Sequence, residues 1–197
     1  KQFLESQDYD CVAFSAVTRH DLDLSLPFMQ VAKEMGLLTL LGGVYPRRGT
    51  PFHAPIDHVC RGEAEEALPM FLMTGDSQYF DKIEVCQDLN DLPIPDYELF
   101  KGIPYNREIP FMPGAKIIPY VSSRGCPYSR CCTFCEAGLQ NPEIRIRTKV
   151  EDDLMYLRAM YHPDVFALGD ELPPYYNPKW RESWGNFHHP FVCYIRA

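Results

Sequence analysis

Residues 116–138 read Lys116-Ile117-Ile118-Pro119-Tyr120-Val121-Ser122-Ser123-Arg124-Gly125-Cys126-Pro127-Tyr128-Ser129-Arg130-Cys131-Cys132-Thr133-Phe134-Cys135-Glu136-Ala137-Gly138. An apolar run of strand length, Lys116 to Ser122, leads at once into a loop that holds half of the chain's eight cysteines within ten residues. A loop so dense in soft anionic sulfur suits an iron–sulfur cluster, because several thiolates from one short segment wrap one corner of a cube. Ligation by Cys126, Cys132 and Cys135 leaves one iron open to a substrate or cofactor. A cluster used only for electron transfer usually has four protein thiolates. A disulfide pair is disfavoured, since no signal peptide accompanies the cysteines. A structural zinc site normally pairs two Cys-x-x-Cys arms across a longer spacer, and only one such arm is present, Cys132-Thr-Phe-Cys135. Cys11, Cys60, Cys86 and Cys193 stand alone and read as small buried hydrophobes.

The same residues set the architecture. The strand before the cysteines is followed by a helix from about Val150 to Tyr161, a strand at Val165 to Leu168, a helix near Pro178 to Trp184 and a strand at Phe191 to Ile195. Three strands with two crossovers make the first part of a (β/α) barrel, whose chemistry lies at the carboxyl ends of its strands. The cysteine loop, Gly169-Asp170-Glu171 and Arg196 all fall there. Upstream, Tyr9 to Val17 reads as a buried parallel strand, Leu22 to Met35 as a helix stopped by Gly36, and Leu37 to Leu41 as a second strand. A third strand lies near His58 to Cys60, and Arg61-Gly62-Glu63 opens a helix to about Met73, with Glu63, Glu65 and Glu66 favouring its N-terminus. Strands alternating with helices imply an open parallel sheet, whose ligands bind beyond the carboxyl ends of the strands. Here those ends carry Ser15 and Gly42-Gly43. The glycines allow close backbone approach to a bulky ligand, or simply a turn before Tyr45-Pro46.

The expected fold class is therefore α/β, with a partial Rossmann-like (flavodoxin-like) domain over 1–75, a proline-rich linker over 76–115 centred on Leu92-Pro-Ile-Pro-Asp-Tyr97, and a partial TIM-like barrel over 116–197. The chain starts without Met in what reads as a helix end and stops on a strand at Ile195-Arg196-Ala197, so a fragment with two incomplete domains is expected.

The cysteine loop resembles that of the radical S-adenosylmethionine enzymes, which have three cysteines in a C-x-x-x-C-x-Φ-C loop after the first barrel strand. Phe134 fills the aromatic Φ position, where it would face the cofactor. Ser123-Arg-Gly-Cys-Pro-Tyr128 resembles the subgroup that carries an N-terminal cobalamin-binding domain, and the Leu-Pro-x-Pro-Asp segment resembles that subgroup's inter-domain link. One departure is the first leg of the loop, five residues instead of three between Cys126 and Cys132. Loop lengthening costs little closure entropy.

The resemblance implies a 4Fe-4S cluster on Cys126, Cys132 and Cys135, with S-adenosylmethionine chelating the open iron. Gly169, Asp170 and Glu171 would stand where the family has a Gly-Gly-Glu-like motif for the amine. A capping Asp at a loop start is the alternative for either acid. Arg145 or Arg147 could grip a carboxylate or face water from an edge strand. Ser15, Gly42 and Gly43 resemble positions that flank the nucleotide tail of cobalamin, which makes cobalamin a second implied cofactor. An Asp-x-His-x-x-Gly loop for the cobalt is not in these residues.

The implied reaction is reductive cleavage of S-adenosylmethionine, with radical chemistry on an unidentified substrate and, where cobalamin binds, methyl transfer as one outcome. An electron donor such as flavodoxin or ferredoxin is the implied partner. The alternatives are a zinc-stabilised module and a ferredoxin-like carrier that would also use Cys131. The composition, 46% hydrophobic and 23% charged with a net charge of −8, fits a soluble cytoplasmic enzyme and gives no global attraction to nucleic acid. Arg124, Arg130, Arg145, Arg147 and Lys149 form a local basic set. No apolar run reaches the roughly 20 residues of a membrane-spanning helix.

Overall fold

The computed structural model describes residues 9–47, 53–80, 86–100, 112–126 and 144–193. The chain divides into two compact units, Lys1–Cys86 and Gln87–Ala197. Both are mixed α/β with parallel sheets, and no closed barrel is present among the described residues.

In the first unit, β1 (Cys11–Ser15), β2 (Leu38–Gly42) and β3 (His58–Val59) form a parallel sheet in the order β1-β2-β3. The first crossover is α1 (Arg19–Glu34). It starts in a capping box: Thr18 accepts from the Asp21 N–H at 3.2 Å, and the Asp21 carboxylate accepts from the Thr18 N–H at 2.8 Å. A one-turn helix, α2 (Val44–Arg47), follows β2, and α3 (Ala64–Thr74) follows β3. Adjacent residues of a strand face opposite ways, so Leu40 and Leu41 lead into different cores. Leu41 packs with Ala16, Leu22, Met29 and Tyr45 on the α1 side. Leu40 packs with Cys60, Ala67, Phe71 and Phe80 on the α3 side. Burial of both faces explains why β2, the central strand, reads as a nearly continuous apolar run without alternation.

The second unit has a parallel sheet of β4 (Ile117–Tyr120), β7 (Val165–Leu168) and β8 (Phe191–Val192), in the order β4-β7-β8. Between β4 and β7 lie the short antiparallel pair β5 (Ser123–Arg124) and β6 (Arg145–Ile146) and the helix α4 (Val150–Tyr161). The helix α5 (Pro178–Ser183) connects β7 to β8, with Asn177 capping its first turn and Pro178 at the first position. Ile118, Tyr120, Phe166 and Leu168, alternate residues of two strands, meet Val150, Leu154, Leu157 and Tyr161 of α4 and Trp180 of α5 in one core. His162, at φ +46°, ends α4 in a left-handed cap that donates to the Arg158 carbonyl, and Pro163 then prevents continuation.

The stretch 76–115 is shared between the units. Phe80 lies in the first unit's core, whereas Tyr97 joins that of the second and donates to the Pro119 carbonyl. The division falls at Cys86/Gln87, inside the stretch 76–115 expected as a linker. Composition locates proline, but it does not reveal which apolar side chains of a proline-rich segment find a core. Among the described residues no helix is long and apolar enough to cross a membrane.

Candidate functional site

The expected chemistry lies at the carboxyl end of β4-β7-β8, where the chain turns from β4 into the cysteine loop. Ser123 and Arg124 of β5 pair with Ile146 and Arg145 of β6, and the Arg147 N–H donates to the Ser122 carbonyl at 2.9 Å. These bonds close the neck of the excursion that begins at Cys126. Cys126 is a free, half-buried thiol. Cys131, Cys132, Phe134 and Cys135 lie outside the described residues, as does Arg196. Among the described residues no three His, Cys, Asp or Glu side chains are gathered as a metal site.

Gly169-Asp170-Glu171 follows β7 directly and meets the same turn. The Gly169 N–H donates to the Tyr120 carbonyl at 2.8 Å. Asp170 is only 2% exposed. Its Oδ1 accepts from the hydroxyls of Ser122, at 2.9 Å, and Ser123, while its Oδ2 lies 3.4 Å from the Ser122 N–H. The Ser122 hydroxyl in turn accepts from Trp180 Nε1 at 2.7 Å. Burial raises the Asp170 pKa above the ordinary carboxylate value, and the two serine hydroxyls and their backbone amides oppose that rise. Glu171 is exposed, and its Oε2 accepts from the Gly125 N–H at 3.1 Å. Both acids therefore hold the base of the cysteine loop, and Asp170 is not an open acceptor for a ligand amine.

Two exposed tyrosines border this end. Tyr175 and Tyr176, with ring centroids 5.8 Å apart at 79°, follow a Pro173-Pro174 turn closed by the Tyr175 N–H on the Pro173 carbonyl and the Asn177 N–H on the Pro174 carbonyl. Burial first, and then the Cys126 thiol, raise the Tyr176 pKa. Cys193, just past β8, is raised by burial and then by Asp170. It is half-buried against the core rather than fully enclosed, as is Cys11, whereas Cys60 and Cys86 are buried as expected.

Arg147 corrects a sequence expectation. It neither faces water nor waits for a ligand carboxylate, but is buried at 7% exposure. Its Nε pairs with Asp153, Nη1 donates to the Leu89 carbonyl at 2.6 Å, and Nη2 donates to the Leu92 carbonyl at 2.9 Å. Tyr120 donates to the same Asp153 at 2.8 Å, and burial followed by that carboxylate pushes its phenol pKa up. Arg145, on β6, is half-exposed. A cleft of about 560 Å³ lined by Ile94, Pro95, Asp96, Glu98, Tyr156, Met160 and Tyr161 lies beside the last turn of α4. Lys116, at the start of β4, donates to the Tyr161 carbonyl, so this cleft is at the opposite end of the sheet from Cys126.

In the first unit, Ser15 and Gly42 are register partners at the carboxyl ends of β1 and β2. Ser15 is exposed, and a Cβ on Gly42 would meet nothing within 4 Å. Gly43 differs. At φ +98° its Cβ would come 2.5 Å from the Ala16 carbonyl oxygen and 3.0 Å from Ser15 Oγ. The Ala16 N–H donates to the Gly42 carbonyl and the Tyr45 N–H to the Ala16 carbonyl, which draws the two strand ends together. Gly43 is thus needed by the turn, and Gly42 leaves open space beside Ser15.

Sequence reading did not identify Ser122, Ser123 or Trp180 as part of this site. Two hydroxyls at a strand end are a visible signal, but their partner Asp170 lies 48 and 47 positions further on. Compared with protein-family models, curated proteins and solved structures, the chain matches none.

Proposed function

We propose that this chain carries an iron–sulfur site with an open iron at the carboxyl end of β4-β7-β8. Within that class the reading is a radical S-adenosylmethionine enzyme of the cobalamin-binding subgroup, with the second unit as the first part of its barrel and the first unit as part of its Rossmann-like domain. The observation that carries it is the position of Cys126. Its free thiol follows the strand-end turn of a parallel β/α sheet, where such folds perform chemistry, and Cys132 and Cys135 follow within the same loop. The donor set fits the cluster, since all three side chains are cysteines, the soft anionic sulfur that iron prefers.

Cys126, Cys132 and Cys135 would hold the cluster, which when bound would supply one-electron reduction of S-adenosylmethionine and so a source of radical chemistry. The chain's own share is to present thiolates, fix the loop and exclude water. The β5–β6 neck and the Asp170–Ser122–Trp180 network hold the loop's base, and Tyr176 stands near Cys126. For the first unit, helices on both faces of a parallel sheet and the open backbone at Gly42 support a ligand at the ends of β1 and β2, with cobalamin as the ligand proposed. Methyl transfer is then one outcome of the radical step, and a flavodoxin or ferredoxin is the donor proposed.

Anaerobic reconstitution with iron and sulfide, followed by reduction and electron paramagnetic resonance, tests this. A four-iron signal that changes on adding S-adenosylmethionine is expected from the wild type and from Cys131→Ser, and not from Cys126→Ser, Cys132→Ser or Cys135→Ser. A signal indifferent to S-adenosylmethionine would favour an electron carrier. Tight colourless zinc with no cluster would overturn the proposal.

A further inference from the structure

Burying a carboxylate is costly unless hydrogen bonds compensate it, and Asp170 is compensated entirely by groups at the base of the cysteine loop. Its neighbour Glu171 reaches the same turn from outside, taking the N–H of Gly125, the residue immediately before Cys126. Gly125 has φ +95°, a conformation that L side chains rarely adopt, so the turn needs both glycine and an acceptor for its N–H. The opposite side of the turn is held by the Ser122 carbonyl, which accepts from Arg147, and by β5–β6 pairing. From Ser122 to Gly125 the backbone is fixed from two directions, with Cys126 next in line.

We infer that Asp170 and Glu171 are positioning residues that set where Cys126 leaves the sheet, rather than acceptors for the amine of a bound cofactor. The two roles make different demands on the side chain. An amine acceptor acts only when a cofactor is bound, whereas the Gly125 N–H calls on a Glu171 oxygen in the metal-free chain, and glutamine also supplies that oxygen. Asp170, with both oxygens directed at Ser122 and Ser123, could not turn to a ligand without releasing the turn. The inference rests on the iron–sulfur reading for what Cys126 is positioned to do, but not for the positioning itself.

The test uses the full chain without metal, with the alkylation rate of Cys126 by iodoacetamide followed by peptide mass spectrometry. Loss of one backbone-anchoring hydrogen bond in Glu171→Ala should raise that rate about three- to tenfold, while Glu171→Gln stays within about twofold of wild type. Ser123→Ala, which removes one donor to Asp170, should raise it in the same direction and provides the readout if Glu171→Ala does not fold. After iron and sulfide loading, iron release to a chelator should follow the same order of variants. Equal rates in Glu171→Ala and wild type, or equal acceleration in Glu171→Gln and Glu171→Ala, would overturn the positioning role. Failure to load any cluster would instead count against the iron–sulfur reading and leave the alkylation result to decide the positioning role.

Discussion

Gly42 and Gly43 are adjacent and chemically identical, yet their surroundings assign them opposite tolerances. Gly43 combines a positive φ with a backbone oxygen 2.5 Å from where a Cβ would be, and Gly42 has open space. Gly43→Ala should therefore destabilise the first unit by about 3 kcal/mol, from left-handed strain and overpacking together. Gly42→Ala should be neutral or stabilising by up to about 1 kcal/mol, through the unfolded chain. Urea unfolding of the two variants checks this, and a Gly43→Ala midpoint equal to that of wild type would show that the β2–α2 turn relaxes freely. Gly42→Leu would then fill the open space without the strain, so it should keep the fold while weakening any ligand held beside Ser15.

Elements in the second unit are joined by one buried cation. Arg147, just after β6, ties α4 through Asp153 and ties the Leu89–Asp91 turn and Leu92 through their carbonyls. A buried pair is weak evidence for net stability, but removing one partner strands the other's charge. Arg147→Met should cost about 3–5 kcal/mol, and hydrogen exchange should accelerate both in α4 and around Leu89 to Leu92. Arg147→Met with Asp153→Leu should recover part of that loss, because no unpaired charge remains. A loss confined to α4, with the 89–92 segment still protected, would show that this segment is held by Tyr97 and its apolar neighbours alone.

One contribution to the molecule's acid response comes from a carboxylate whose partners are far off in sequence. Asp57 is held by the Lys33 ammonium at 2.6 Å and by the N–H and hydroxyl of Thr39 at 2.8 and 2.9 Å. The Lys33 bond first and the Thr39 bonds next lower its pKa from 3.8 to about 2. Because the folded value lies below the ordinary one, this group's contribution is fully present above pH 3.8 and is lost as pH falls toward about 2. Asp57→Asn should remove that part of the acid dependence. The difference in urea midpoint between wild type and variant should shrink between about pH 4 and pH 2. A difference constant over that interval would mean that Asp57 is not the group being protonated.

The order of elements was legible from local signals: apolar runs marked β1, β2, β4 and β7, and the helices expected at Val150 to Tyr161 and near Pro178 to Trp184 match α4 and α5. The mixed α/β class with parallel sheets followed from strands alternating with helices. These are properties of neighbouring residues, and a linear chain displays them directly. Tertiary structure alone decided that Asp170 belongs to Ser122 and Ser123, that Arg147 is enclosed, that Tyr97 joins the second unit's core, and that Gly43 is required where Gly42 is not. Each of these depends on which distant group closes on a given atom. Burial and hydrogen bonding between residues many positions apart are set by packing, and no local pattern encodes the partner.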